Sequence, residues 1–270
     1  MKKTLSILLV AVLVITSMIC LSGCNSANPA SDFEYSISES GKNAVIEKYI
    51  GNDKSVVIPN EINGATVTKI ESGAFLQQDI ESVVIPDTVV NVLSSAFMAC
   101  TKLKTVKLGN SVANIFDMAF SGCTSLEEIN FPDSLEMIGD RTFENCTSLK
   151  KVSLPTKNNL LEQNIFYKNT ALTSVEFREG DDTLRGWGAF TSASALEEIT
   201  IPASVKKIIS PMFIGCPSLK KVTFLGDAPT EVYENTFAQN EVNDLKIYYK
   251  KGTKGWDTTD LAKWYTLVEY

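Results

Sequence analysis

Cysteine is the residue in this 270-residue chain with the most chemistry to offer, and its spacing is regular. Cys100, Cys123, Cys146 and Cys216 each stand three residues after a phenylalanine. An even number of thiols in an exported protein ordinarily suggests disulfides. Here all four fall in one column of a repeat, with parallel Cβ vectors that suit a disulfide poorly. Buried free thiols are the expectation; disulfides and a metal site are the alternatives. Histidine is absent, which removes the commonest general base, the commonest metal ligand and every Ser-His or Cys-His pair. Ser148 to Lys151 and Ser218 to Lys221 have the spacing of a serine nucleophile and a lysine base. Both lie at the same phase of the repeat and lead into a strand instead of opening a helix, so the match is a by-product of repetition. No P-loop or dinucleotide glycine pattern occurs. The chain is read as a non-enzyme with no cofactor and no metal, a hydrolase being the catalytic alternative.

Cys24 is chemically distinct. Lys2 and Lys3 precede an apolar run from Leu5 to Cys20, and Leu21-Ser22-Gly23-Cys24 closes it. This matches a bacterial lipoprotein signal, in which small residues precede a cleavage site and the cysteine becomes an acylated N-terminus. An uncleaved membrane anchor is the alternative, although the run is short for a spanning helix. Several acyl chains would hold the protein firmly where one would not. Loss of residues 1–23 removes two lysines and no acids, taking the net charge from −7 to −9. An acidic chain is not expected to bind nucleic acid, whose recognition needs a basic face. Residues 25–32 (NSANPASD) read as a polar tether reaching at most about 26 Å.

The elements that must position these groups follow from a repeat. Phe75, Phe97, Phe120, Phe143, Phe166, Phe190, Phe213 and Phe237 recur at intervals of 22 to 24 residues. Six residues after a Phe lies Leu103, Leu126, Leu149, Leu172, Leu196 or Leu219. Nine and eleven after it lie pairs such as Val106/Leu108, Val152/Leu154 and Val222/Phe224; five before it lie Ile70, Val92, Ile115, Ile138, Leu161, Ile208 and Val232. Apolar residues two apart have strand periodicity. Pro59, Pro86, Pro132, Pro155 and Pro202 each follow such a strand and end it. A unit of about two dozen residues with one short strand cannot enclose a core, but stacked units can.

These units resemble the BspA-like leucine-rich repeats of bacterial surface proteins. Leu126-Glu127-Glu128-Ile129-Asn130-Phe131-Pro132, followed by Leu135, Ile138, Thr142, Phe143 and Cys146, carries the likeness, which spans about residues 33–270. The resemblance implies a β-rich leucine-rich-repeat solenoid with short helical or 3-10 turns. It would be a right-handed stack of about seven to eight rungs with a parallel strand ladder. The expected divisions are a signal peptide (1–23), a lipidated cysteine and tether (24–32), an N-terminal hairpin cap (33–64), the repeats (65–243) and a C-terminal cap (244–270). Phe33 to Ile50 would form the hairpin, Leu245 to Tyr248 the last strand, and Trp256, Leu261, Trp264, Tyr265 and Val268 the cover over the open end.

Charges flanking the strands pair across rungs as Glu127–Lys150, Glu128–Lys151, Glu197–Lys220 and Glu198–Lys221. A self-neutralising ladder is the expectation and a charged ligand groove the alternative. The candidate site is where the repeat breaks. Between Pro155 and Phe190 the apolar columns are interrupted by Asn158, Asp182 and Arg185, in a stretch that carries Tyr167, Arg178, Glu179, Asp181 and Trp187. The column three before each Phe is otherwise polar, so Trp187 is expected to face outward. An exposed Trp beside Arg178 and Arg185 suits a protein-binding hot spot or, with Tyr167, a sugar-stacking platform. The alternatives are a bulged rung whose Trp folds over its own loop, and a calcium site at Glu179, Asp181 and Asp182. The overall expectation is a monomeric, adhesin-like protein held outside the cell by lipid on Cys24, binding an extracellular protein such as a host matrix protein. A surface glycan-binding lipoprotein is the alternative.

Overall fold

Two parallel ladders, not one, carry the coils in the computed structural model, which describes residues 26–157, 160–234, 236–237 and 245–270. The signal segment, Cys24 and Asn158 lie outside the described residues. One face of each coil is the strand expected after the leucine column. Ser55–Val57, Ser82–Val84, Thr105–Lys107 and Glu128–Ile129 form its first half. Lys151–Pro155, Ser174–Arg178, Glu198–Ile201 and Lys221–Phe224 form its second. The other face runs through the isoleucine column before each Phe: Ala65–Ile70, Asn91–Val92, Asn114–Ile115 and Met137–Ile138 pair in parallel. Thr183–Leu184, Lys207–Ile208 and Glu231–Val232 resume that ladder, with a single bridge from Ile138 to Leu161 before them. A strand of two residues buries one side chain per coil and shows no alternation, which is why this ladder is silent in the sequence.

The third side of each coil is the turn around the phenylalanine. Its backbone also bonds rung to rung: Phe97 N–H donates to Ala119, Phe120 to Thr142, Phe143 to Ile165, Phe166 to Ala189 and Phe190 to Met212. The expected short helices are absent from these turns. Left-handed residues sit two before and two after the Phe, as at Ser95 and Ala99, Met118 and Gly122, Arg141 and Asn145, and Asn164 and Lys168. A positive φ cannot continue a right-handed helix. Pro211, whose ring fixes φ near −65°, occupies the first of these positions in the Phe213 turn and is not among the positive-φ residues.

The interior is one contiguous cluster. Phe75 to Phe237 form a single row of rings, with successive centroids 4.6–5.6 Å apart and planes within 19° of parallel. Tyr49 extends the row by one ring, stacked 5.2 Å from Phe75. Rings turned out of plane close both ends: Phe33 lies edge-on to Phe75, and Tyr265 lies at 81° to Phe237.

Both caps join the ladders, so the stack has about nine turns instead of seven to eight. Phe33–Ile37 and Asn43–Tyr49 form the expected antiparallel hairpin, and its inner strand pairs in parallel with Ala65–Ile70. At the other end Lys246–Tyr249 is not the last strand, because Thr266–Glu269 adds beyond it. Trp256 and Leu261 are buried as expected, Trp256 stacking on Tyr249 and meeting Phe224 edge-on. Trp264 instead points outward. The tether also needs correction. Asn28 N–H donates to Val57 O, Val57 N–H donates to Asn28 Oδ1, and the Asn28 amide bonds Asp32 and Asp53. Residues 28–32 therefore belong to the folded body, because a buried Asn satisfies both strand backbone groups as a further rung would.

Among the four expected cross-rung ion pairs, only Glu198–Lys221 closes within 4 Å, at 3.5 Å. Lys104–Glu81 at 3.1 Å is the corresponding pair nearer the N-terminus, and Lys102–Asp79 closes at 2.8 Å two residues before it. Glu128 and Lys151 flank the break between the two halves of the ladder, where strand pairing no longer holds them opposite.

Candidate functional site: an exposed aromatic pair at the repeat break

The break is an insertion. Leu184 pairs with Ile208, yet Phe190 follows Leu184 by six residues where Phe213 follows Ile208 by five. Arg185 therefore does not stand in the apolar column, as its spacing from Phe190 suggests; Leu184 fills it, and Arg185 is the residue after it, half-buried. The extra residue is accommodated at Gly186, whose φ of +140° is in practice open only to glycine, and where a Cβ would lie 2.9 Å from Leu161 Cβ. Asp182 is exposed, so the apolar column of Val89, Val112, Leu135 and Val205 does lapse in this coil.

Trp187 follows that glycine and is 55% exposed. Its backbone is tied to both neighbouring coils: its carbonyl accepts from Asn164 N–H, and Gly188 N–H donates to Pro211 O. The indole meets Tyr233, 39% exposed, with ring centroids 6.5 Å apart and planes at 67°. Tyr233 is itself anchored by its N–H to Ile208 O and by Thr236, whose N–H and hydroxyl both donate to its carbonyl. Two large exposed rings thus touch across two coils on a hydrogen-bonded frame. Tyr233 is the residue that reading the sequence misses, because its partner lies two repeats away.

The other candidates lie elsewhere or are engaged. Tyr167 is half-buried beside Phe166, with Lys168 Nζ 4.9 Å from its ring centroid. Arg178 reaches back over two coils, donating to Phe131 O at 2.7 Å and pairing with Asp133 at 3.2 Å. Glu179 reaches forward and accepts from the N–H groups of Ala203 and Ser204, both at 2.9 Å. Burial pushes the Glu179 carboxyl up, but these hydrogen bonds outweigh it and hold its pKa below the usual glutamate value. Arg178 and Glu179 so stitch the strand ends around the break. Glu179 is thereby committed to backbone, and no group of three or more His, Cys, Asp or Glu side chains among the described residues is placed to hold a metal.

A model of the BspA type leucine-rich repeat region matches residues 68–187 and 183–253, in six copies. The chain belongs to this family. Among solved structures it is similar to a leucine-rich repeat protein of T. pallidum, at 26% identity and a TM-score of 0.56, covering 82% of this chain and 92% of that one. It also shares its fold with a leucine-rich cell surface protein of Faecalibacterium prausnitzii, at 19% identity and a TM-score of 0.50, covering 86% and 90%. No curated protein sequence matches it.

The cysteine column has a defined place in these BspA-type coils. Cys100, Cys123, Cys146 and Cys216 are all buried. Each donates its S–H to the carbonyl of a Phe in the preceding coil, at 2.9–3.3 Å: Phe75, Phe97, Phe120 and Phe190 respectively. Asn169 Nδ2 does the same to Phe143 O, and Gln78 Nε2 to Tyr49 O. Burial pushes Cys100, Cys146 and Cys216 up to about 12, so they are not nucleophiles at neutral pH. Lys221, in the second Ser-x-x-Lys match, faces Glu198 and lies 5.8 Å from the Tyr248 ring centroid.

Proposed function

We propose that the chain is a lipid-anchored, cell-surface scaffold that binds an extracellular protein through the Trp187–Tyr233 pair, without catalysis. The observation that carries this is the exposure of two touching aromatic rings, Trp187 held by the coils on both sides and Tyr233 by the preceding coil and its own turn. Rigid aromatic side chains supply large contact area at low entropic cost and dominate protein interfaces. The rings meet at 67°, so they do not form the single flat floor on which a sugar stacks. Surface placement is supported by the Cys24 signal and by the shared fold with a cell surface protein of F. prausnitzii.

The test is a binding survey of residues 25–270 against matrix proteins of the kind a bacterial surface meets, with Trp187→Ala and Tyr233→Ala in parallel. A hot-spot aromatic is worth about 2 kcal/mol or more, so each variant should lose roughly 30-fold in affinity. Saturable binding that neither substitution weakens would remove the pair from the interface. Retention on a glycan array with loss of all protein binding would favour carbohydrate.

A further inference from the structure

Resting on the proposed lipidation of Cys24, we infer that the solenoid stands on its N-terminal end, with that end against the bilayer and the coils rising away from it. The first argument is chain length. Asn28 hydrogen-bonds in both directions with Val57 in Ser55–Val57, the outermost strand of its ladder. The chain therefore leaves the fold at the N-terminal end of the stack. Only Asn25, Ser26 and Ala27 separate Asn28 from Cys24, a reach of about 14 Å at full extension. A body so tightly held keeps its N-terminal end within about 14 Å of the bilayer and cannot present its far end in that place.

The second argument is the character of that end. Ile37, on the outermost hairpin strand, and Ile50, whose N–H bonds Asp32 O, are exposed at 39% and 48%. The surrounding exposed charges are mixed, with Glu34, Glu39 and Asp53 beside Lys42 and Lys48. The end carries two apolar side chains without a basic face, so it fits the headgroup layer of a neutral bilayer, not one selected by anionic charge. Six ring-to-ring steps of 4.6–5.3 Å separate Tyr49 from Phe190, so the coil of Trp187 stands about 30 Å above the N-terminal end.

Tryptophan fluorescence tests this, because Trp187, Trp256 and Trp264 all lie in the far half of the chain. Mature lipidated protein is reconstituted into phosphatidylcholine vesicles whose acyl chains carry bromine, which quenches indole near the hydrocarbon. Wild-type emission should be unchanged relative to unbrominated vesicles, and Ile50→Trp or Ile37→Trp should add a component that bromine quenches. Both sites are exposed, so either variant retains the fold. Quenching of wild type to the same extent, or none in either variant, overturns the upright stance. Vesicle flotation separates the two readings: protein that does not float overturns the lipid anchor, whereas floating protein with the wrong quenching pattern overturns only the orientation.

Discussion

The rings of Phe97 and Phe120 lie 5.0 Å apart and within 1° of parallel. Each interior Phe is so packed between two others, and Phe131 and Phe177 meet the row edge-on at Phe143 and Phe190. Removing one ring leaves a cavity that its neighbours cannot fill without breaking the backbone bonds of the turn. Phe143→Ala should therefore cost about 3–5 kcal/mol in urea unfolding. Phe237, at the end of the row, should cost less when truncated to Ala. Equal losses at both positions would mean that the row does not act as a packed column.

Asn169 occupies the cysteine slot of its coil but carries one polar atom too many. Its Nδ2 bonds Phe143 O at 2.8 Å, while its Oδ1 is buried without a hydrogen-bond partner. A buried acceptor left unsatisfied costs about 1–3 kcal/mol. Asn169→Cys keeps a donor and removes that oxygen, so it should stabilise the protein by about 1 kcal/mol, read as a higher urea midpoint at unchanged slope. Asn169→Ala, which loses the donor as well, should fall below Asn169→Cys.

The register of the phenylalanines, the leucine column and the main strand ladder was legible because each repeats one residue type at one spacing. The hairpin cap was legible through the family resemblance. The second ladder was not, since strands such as Asn91–Val92 contribute one buried residue per coil. The left-handed turn positions were hidden for another reason: Ser95, Met118, Arg141 and Asn164 share a conformation and no chemical type. At the site, Trp187 was legible as an apolar intruder in a polar column. Arg185 was misplaced because counting back from Phe190 ignores the inserted residue, and Tyr233 was missed because rings two coils apart share no local spacing.

The thiols give a pH dependence with a definite sign. The folded values of Cys100, Cys146 and Cys216, pushed up to about 12 by burial, exceed the value of about 8.5 in an unfolded chain. Their protonated form contributes its full stability below about pH 8.5, and that contribution is lost as pH rises toward 12. Wild type should lose more stability between pH 8 and pH 10 than Cys146→Ala does. Native protein at pH 8 should also resist iodoacetamide at all four repeat cysteines, which should react once the protein is unfolded in urea.

Arg178 separates a hydrogen bond from an ion pair. Its bond to Phe131 O spans two coils across the break in the strand ladder, whereas its partner Asp133 is largely exposed. Asp133→Asn should cost under about 0.5 kcal/mol, as exposed pairs do. Arg178→Ala should cost about 1–2 kcal/mol, after allowing for its partial exposure. Equal effects in thermal unfolding would assign the stabilisation to charge instead.

Contacts between aromatic side chains decide the architecture most directly. In protein with ring-labelled phenylalanine, nuclear Overhauser effects should link Phe75 to Phe97, Phe97 to Phe120, and onward through Phe143, Phe166, Phe190 and Phe213 to Phe237. Rings that show no such chain of neighbours, or that link in a different order, would contradict a single stack of coils and the surface built on it.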